Sequence, residues 1–233
     1  MTQTLDTHDV DRWWRRVRKE FSHVTKPLIG CNQPLCYVEI GVWGGAASEW
    51  VCQNILIHPE SIGFGIDPYD QSQERRRHDV AAIMELAHKR MFTLMGNRYQ
   101  WIREPSASGV LTLRSILGDR KIDLLYIDGL HEAPDVLNDF LLAWPMLKDG
   151  SIVIFDDYAR LRNDYKYPHV RHACAAIEIA FRHRIKPIHL FRQYAMEVVR
   201  HSLPKHWERF HTPEVAYGNL ALPHLTDKGD LVI

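Results

Sequence analysis

The sequence predicts one α/β domain on a mostly parallel, doubly wound sheet with helices on both faces, and three observations carry that prediction. Apolar strand-like runs and helical patterns alternate five times with short links, the signature of βαβ units. Two further strand-like runs follow without a helix between them, so seven strands are expected with one antiparallel. Finally, 233 residues with 45% hydrophobic and 25% charged side chains suit a single domain with one good core.

The elements follow in order. "CYVEI" is an apolar strand, "GVWGG" a glycine turn, and a helical pattern starts at about Ala46. "SIGFGID" is a second buried strand ending on Asp67. "ERRRHDVAAIMELAHKRM" has helical spacing, with Val80, Ile83, Met84 and Ala87 on one face. "YQWIRE" is a third strand, and "SGVLTLRSIL" a helix behind a serine cap. "IDLLYID" is a fourth strand, and the helix "EAPDVLNDFLLAWPML" is entered through Pro134. "GSIVIFDD" is a fifth strand, "HVRHACAAIEIAFRHR" a helix, and "KPIHLF" and "AMEVVRH" are the closing strands. The expected organisation is a helical extension or lid over 1–35, the domain over 36–202, and a tail packed on it over 203–233.

Charge and cysteine content narrow the function classes. Lys+Arg and Asp+Glu are equal at 29 each, which gives no electrostatic reason to expect nucleic acid or an anionic membrane as partner. "WWRRVRK" reads as a short amphipathic helix that packs on the domain or covers a site. Cys31, Cys36, Cys52 and Cys174 lack C-x-x-C spacing and read as buried or incidental thiols. The first residues are polar, and no apolar run approaches the ~20 residues of a membrane span. A cytoplasmic protein is expected, and a homo-oligomer is left open.

In a doubly wound sheet, ligands bind at the carboxyl ends of the strands. Gly41–Gly45, Asp67, Asp128 and the Asp156-Asp157 pair all fall there. The glycines let a ligand approach the backbone, and the helix that follows offers free N–H groups. Glu39 can accept from a ligand ammonium, and Asp67 from ribose hydroxyls. The dinucleotide fingerprint G-x-G-x-x-G is missing, because Val42 and Trp43 both separate Gly41 from Gly44. No Tyr-x-x-x-Lys pair occurs either, and Trp43 would crowd a pyrophosphate. S-adenosylmethionine carries no phosphate and suits the turn better.

Three stretches, "EIGVWGGAAS", "GIDPYD" and "IDLLYIDGLHEAPDVLNDFLLAWPMLKDGSIVIFDDY", resemble the class I S-adenosylmethionine-dependent methyltransferases, which have a Rossmann-like fold. Among them the chain is most similar to the metal-dependent small-molecule O-methyltransferases of the macrocin and cephalosporin-biosynthesis type, and more distantly to catechol O-methyltransferase. The resemblance covers roughly residues 37–158. The most specific part is Asp-Gly-x-His, Asp139, Trp144-Pro145 and then Asp-Asp-Tyr. It implies cofactor contacts at Glu39, Gly41, Gly45, Ser48, Asp67 and Asp128, with Ser106 or Ser108 at the adenine.

Neighbouring fourth and fifth strands would bring Asp128 within about 5 Å of Asp156 and Asp157. Three like charges raise one another's pKa unless a cation lies between them, and hard oxygen donors without sulfur suit Mg²⁺, Mn²⁺ or Ca²⁺. Asp128, Asp156 and Asp157 are therefore the expected metal ligands. The resemblance makes His131 the general base and a small-molecule hydroxyl, sugar or polyketide-like, the acceptor. One departure is that Ala133 and Pro134 stand where the family has an aromatic. Competing readings are an NAD-dependent oxidoreductase or epimerase, and a non-catalytic adenosylmethionine-binding protein.

Overall fold

The computed structural model describes residues 10–70, 79–159 and 169–200, with short strands at His224–Leu225 and Leu231–Val232. Seven strands form one sheet: β1 (Cys36–Ile40), β2 (Ile62–Ile66), β3 (Tyr99–Ile102), β4 (Ile122–Ile127), β5 (Leu147–Phe155), β6 (Ile185–Leu190) and β7 (Tyr194–Val198). Their order is β3-β2-β1-β4-β5-β7-β6. The first five pair in parallel, and β7 runs antiparallel to both of its neighbours. This is the doubly wound, one-strand-antiparallel sheet expected from the sequence.

Strand alternation sends successive side chains to opposite faces, and each face has its own core. Cys36, Val38 and Ile40 of β1 pack with α4 (Ser106–Leu117), α5 (Ala133–Ala143) and α6 (Val170–Phe181). Tyr37, between them, faces α1 (Trp14–Val24), α2 (Ala46–Asn54) and the end of α3 (Val80–Met95). Because both faces are covered, β1 and β4 are buried along their whole length and read as continuous apolar runs. Among the described residues no helix is long and apolar enough to cross a membrane.

Helix α1 buries Trp14, Val17, Phe21 and Val24, the face set by its helical period. The Phe21 ring lies 5.1 Å from that of Tyr126 and 5.7 Å from that of Trp50. On its other side, Glu20 accepts from the backbone N–H of Arg192 (3.2 Å) and meets His189 Nε2 (3.3 Å), which ties α1 to the β6–β7 hairpin.

Some boundaries differ from the sequence reading. Helix α4 starts at Ser106, behind Pro105 and with no side-chain cap, whereas a cap at a later serine was expected. The Ser108 hydroxyl instead donates to the Pro105 carbonyl (3.1 Å). Strand β5 starts at Leu147, earlier than expected, because Leu147 already pairs with Ile122 of β4, ahead of the register shift that leaves Lys148 to Gly150 exposed. Helix α5 stops at Ala143, where Trp144-Pro145-Met146 tightens into a 3₁₀ turn. The expected start of the third helix before residue 79 and most of the tail lie outside the described residues.

Candidate active site

The four central strands end in register. The N–H groups of the first residues past β2, β1, β4 and β5 continue the ladder by one bond each. Asp67 donates to Ile102 O (3.2 Å), Gly41 to Ile66 O (2.9 Å), Asp128 to Ile40 O (2.8 Å) and Asp156 to Ile127 O (3.0 Å). The sheet therefore sets Asp67, Gly41, Asp128 and Asp156 in one row across its carboxyl edge. Three non-glycine residues with positive φ lie just past this row: Trp43 (51°), Tyr69 (46°) and Asp157 (54°). Strained backbone of this kind persists only where its surroundings over-determine it, and it concentrates at ligand sites.

Asp67 holds the glycine turn closed. Its Oδ2 accepts from the N–H groups of Val42 and Trp43 (3.0 Å each), and its Oδ1 from that of Tyr69 (2.9 Å). The Tyr69 hydroxyl donates back to Trp43 O (2.9 Å). Gly41 needs its φ of +85°, and a β-carbon there would come 2.2 Å from the Asp128 carbonyl oxygen. Gly45, with φ +74°, precedes the first turn of α2. From outside, Arg90 of α3 donates to Gly44 O (2.7 Å) and is itself paired with Asp11 and Glu49.

Glu39 and Ser48 lie deeper than a surface contact. Both are fully buried, and Glu39 Oε2 accepts from the Tyr37 hydroxyl (2.8 Å) and from Ser48, whose hydroxyl also meets that of Tyr99. Burial pushes the Glu39 carboxyl up to about 8, only partly offset by those two hydroxyls. Its Oε1 is buried with no partner. An orphaned acceptor beneath a glycine turn fits a ligand bearing an ammonium group. The turn thus fits S-adenosylmethionine.

At the other half of the row the acids converge. Asp128 is hydrogen-bonded to Asp156, and Asp157 meets His131 Nε2 at 3.3 Å. Burial, then Asp156 and Asp157, hold the Asp128 carboxyl well above the usual carboxylate range. Asp156 is pushed up to about 6 by burial and by Asp157, against hydrogen bonds from Gln193, Tyr126 and Asp128. Among the described residues no set of three His, Cys, Asp or Glu donors is arranged to hold a metal ion. The chemistry of these carboxylates still fits a hard divalent cation, which would replace the proton that the Asp128–Asp156 contact requires.

Ser106, partly buried at the start of α4, lies beside Asp139, while Ser108 is exposed on the next part of the same turn. Asp139 is fully buried and neither carboxylate oxygen has a partner within hydrogen-bonding distance. Burial raises it to about 6, and Ser106 offsets this only in part. Its folded-state value lies above the ordinary one, so the contribution of Asp139 to stability is greatest below the unfolded value and falls as pH rises toward 6. By linkage the loss is about 3 kcal/mol at neutral pH. Asp139→Asn should therefore unfold at a higher temperature than wild type at about pH 8 and lose that advantage at about pH 4. An unchanged difference in calorimetric Tm between the two conditions would contradict it.

Residues 38–158, more than half of the chain, match the family model described as a methyltransferase domain. The chain belongs to this methyltransferase-domain family. Within the match lie every acid of the row, His131 and the glycine turn. A curated relative, an uncharacterized protein of Acanthamoeba polyphaga mimivirus, is 29% identical over 136 residues. That alignment covers 57% of the chain, which spans about half (54%) of the relative's length.

Solved structures share the methyltransferase fold at low identity. TomG, an O-methyltransferase of Streptomyces achromogenes in complex with SAM, superposes with a TM-score of 0.57 at 15% identity, covering 86% of this chain and 93% of that one. CalS11, a TDP-rhamnose 3′-O-methyltransferase of calicheamicin biosynthesis, gives 0.58 at 16% identity, covering 81% of each chain. MycE, from the mycinamycin pathway and in complex with Mg and SAH, gives 0.55 at 14%, covering 88% of this chain and 58% of that one.

Two residues of the site escaped the sequence reading. Tyr126 belongs to the strand β4 pattern, where a phenol reads as core. Gln193 stands in a segment without any motif, and only the folded sheet brings it to Asp156.

Proposed function

We propose that this chain is a divalent-metal-dependent O-methyltransferase that moves the methyl group of S-adenosylmethionine to a hydroxyl of a small molecule. The observation that carries the proposal is the convergence of Asp128, Asp156, Asp157 and His131 beside a glycine turn that fits a phosphate-free nucleoside. When bound, adenosylmethionine supplies an electrophilic methyl and the cation a Lewis acid for the acceptor oxygen. Asp67 and the turn would seat the ribose and methionine ends, Asp128, Asp156 and Asp157 would hold the cation, and His131 would take the hydroxyl proton. The backbone row would keep acceptor and methyl donor in line, which contributes much of the rate. A sugar or polyketide-like acceptor is supported by what CalS11 and MycE are named for.

Calorimetric titration tests the cofactor half. S-adenosylmethionine should bind and NAD(H) should not, and the reverse result would turn the reading to a dehydrogenase. Transfer of labelled methyl onto a panel of glycosides and polyketide alcohols in the presence of Mg²⁺ tests the rest. Binding without transfer to any acceptor would leave a non-catalytic binding protein.

For the base, His131→Ala should slow transfer by about a hundred-fold and flatten its pH profile. Wild-type rates from about pH 6 to about pH 9 in that variant would remove His131 from the proton transfer.

A further inference from the structure

The turn of the β6–β7 hairpin is exposed at Phe191 (59%), yet the residue that closes it, Gln193, is fully buried. Its Nε2 donates to Asp156 Oδ1 at 2.8 Å and to the Tyr126 hydroxyl at 3.2 Å. Both donors of the amide are thereby used, and turning the amide over would set its carbonyl against the carboxylate. The cost of this arrangement is visible: Gln193 Oε1 is buried without a partner. A residue serving packing alone would be apolar and leave nothing unpaired, so the orphan points to a task for the donor on Asp156.

The hairpin itself is fixed on two sides. Its Arg192 N–H donates to Glu20 of α1, and its Arg192 carbonyl accepts from Ala159, two residues past Asp157. Gln193 thus reaches Asp156 from a rigid mount, across 37 positions of sequence.

We infer that Gln193 is a positioning residue for the cation site: it holds the Asp156 carboxylate in the orientation that binds a divalent ion. The inference rests on the metal-dependent reading above and adds a residue to that site. Groups that orient a metal-binding side chain typically change metal affinity by 10–100-fold when removed.

The test titrates MnCl₂ alone into the full chain, wild type and Gln193→Met, with S-adenosylhomocysteine affinity and Tm measured beside it. The expected result is a Mn²⁺ Kd about 10–100-fold weaker in the variant, with nucleoside affinity and Tm close to wild type. Should Gln193→Met fail to fold, Gln193→Asn, whose shortened amide draws back from Asp156, carries the same expectation. Equal Mn²⁺ affinity in wild type and a folded variant overturns the role of Gln193 and leaves the metal reading standing. Absence of Mn²⁺ binding in wild type overturns both. A variant that loses stability and nucleoside affinity as well as Mn²⁺ marks Gln193 as purely structural and overturns the inference too.

Discussion

Asp128→Asn should cut methyl transfer by about a thousand-fold while adenosylmethionine binding stays within a few-fold of wild type. The same variant should be at least as heat-stable as wild type. Asp128 is pushed well above its ordinary range by burial and by two flanking carboxylates, so ionising it in the metal-free fold is costly. An amide of the same shape removes that cost and also removes a hard anionic ligand. Activity and stability then move in opposite directions, which a misfolded variant cannot imitate. Dialysis of wild type against EDTA should give the same loss of transfer, and Mg²⁺ should restore it while leaving Asp128→Asn inactive. Full activity in chelator, or an active Asp128→Asn, would defeat the cation role.

Gly41→Ala should be the most damaging conservative change in the domain. A β-carbon at residue 41 would lie 2.2 Å from the Asp128 carbonyl oxygen, 2.5 Å from its carbonyl carbon and 2.6 Å from the Gly129 α-carbon. All three are backbone atoms, so no side chain can swing aside, and the φ of +85° is itself unfavourable for alanine. The ends of β1 and β4 would have to part, which costs more than about 3 kcal/mol and lowers Tm by roughly 10 °C in a chain of this size. Adenosylmethionine binding should disappear in step. Gly45→Ala offers the comparison: its nearest contact, at 3.2 Å, is the Ala87 β-carbon, and its loss should be smaller. Equal Tm values for Gly41→Ala and wild type would show that the row of strand ends is softer than its hydrogen bonds imply.

Much of this site is legible in the sequence. Buried parallel strands read as unbroken apolar runs, so an acid directly after one stands out, as Asp67, Asp128 and Asp156 do. Their register was also inferable, because neighbouring strands of a doubly wound sheet end at one edge. The residues that escaped notice are those whose partners are remote. Gln193 has no pattern around it, and its meaning is created by β7 inserting antiparallel beside β5. Asp67 reads as a free ligand acceptor, whereas its oxygens also close the turn after β1, a use that pairs residues 24 and 25 positions apart. Glu39 and Ser48 read as cofactor contacts, whereas both side chains are fully buried, a depth that period alone does not tell.

The contact between Glu20 and Arg192 has a consequence for how the domain comes into being. It joins residues 172 positions apart, and it braces the hairpin that carries Gln193 to Asp156. On a ribosome, the glycine turn and the first four strands emerge well before residue 192. The nucleoside half of the site can therefore order early, while the acidic half waits for the hairpin and for α1 to meet it. Contacts of such long range carry a loop-closure cost that slows folding. A chain stalled before the hairpin would carry three crowded carboxylates without the brace that arranges them.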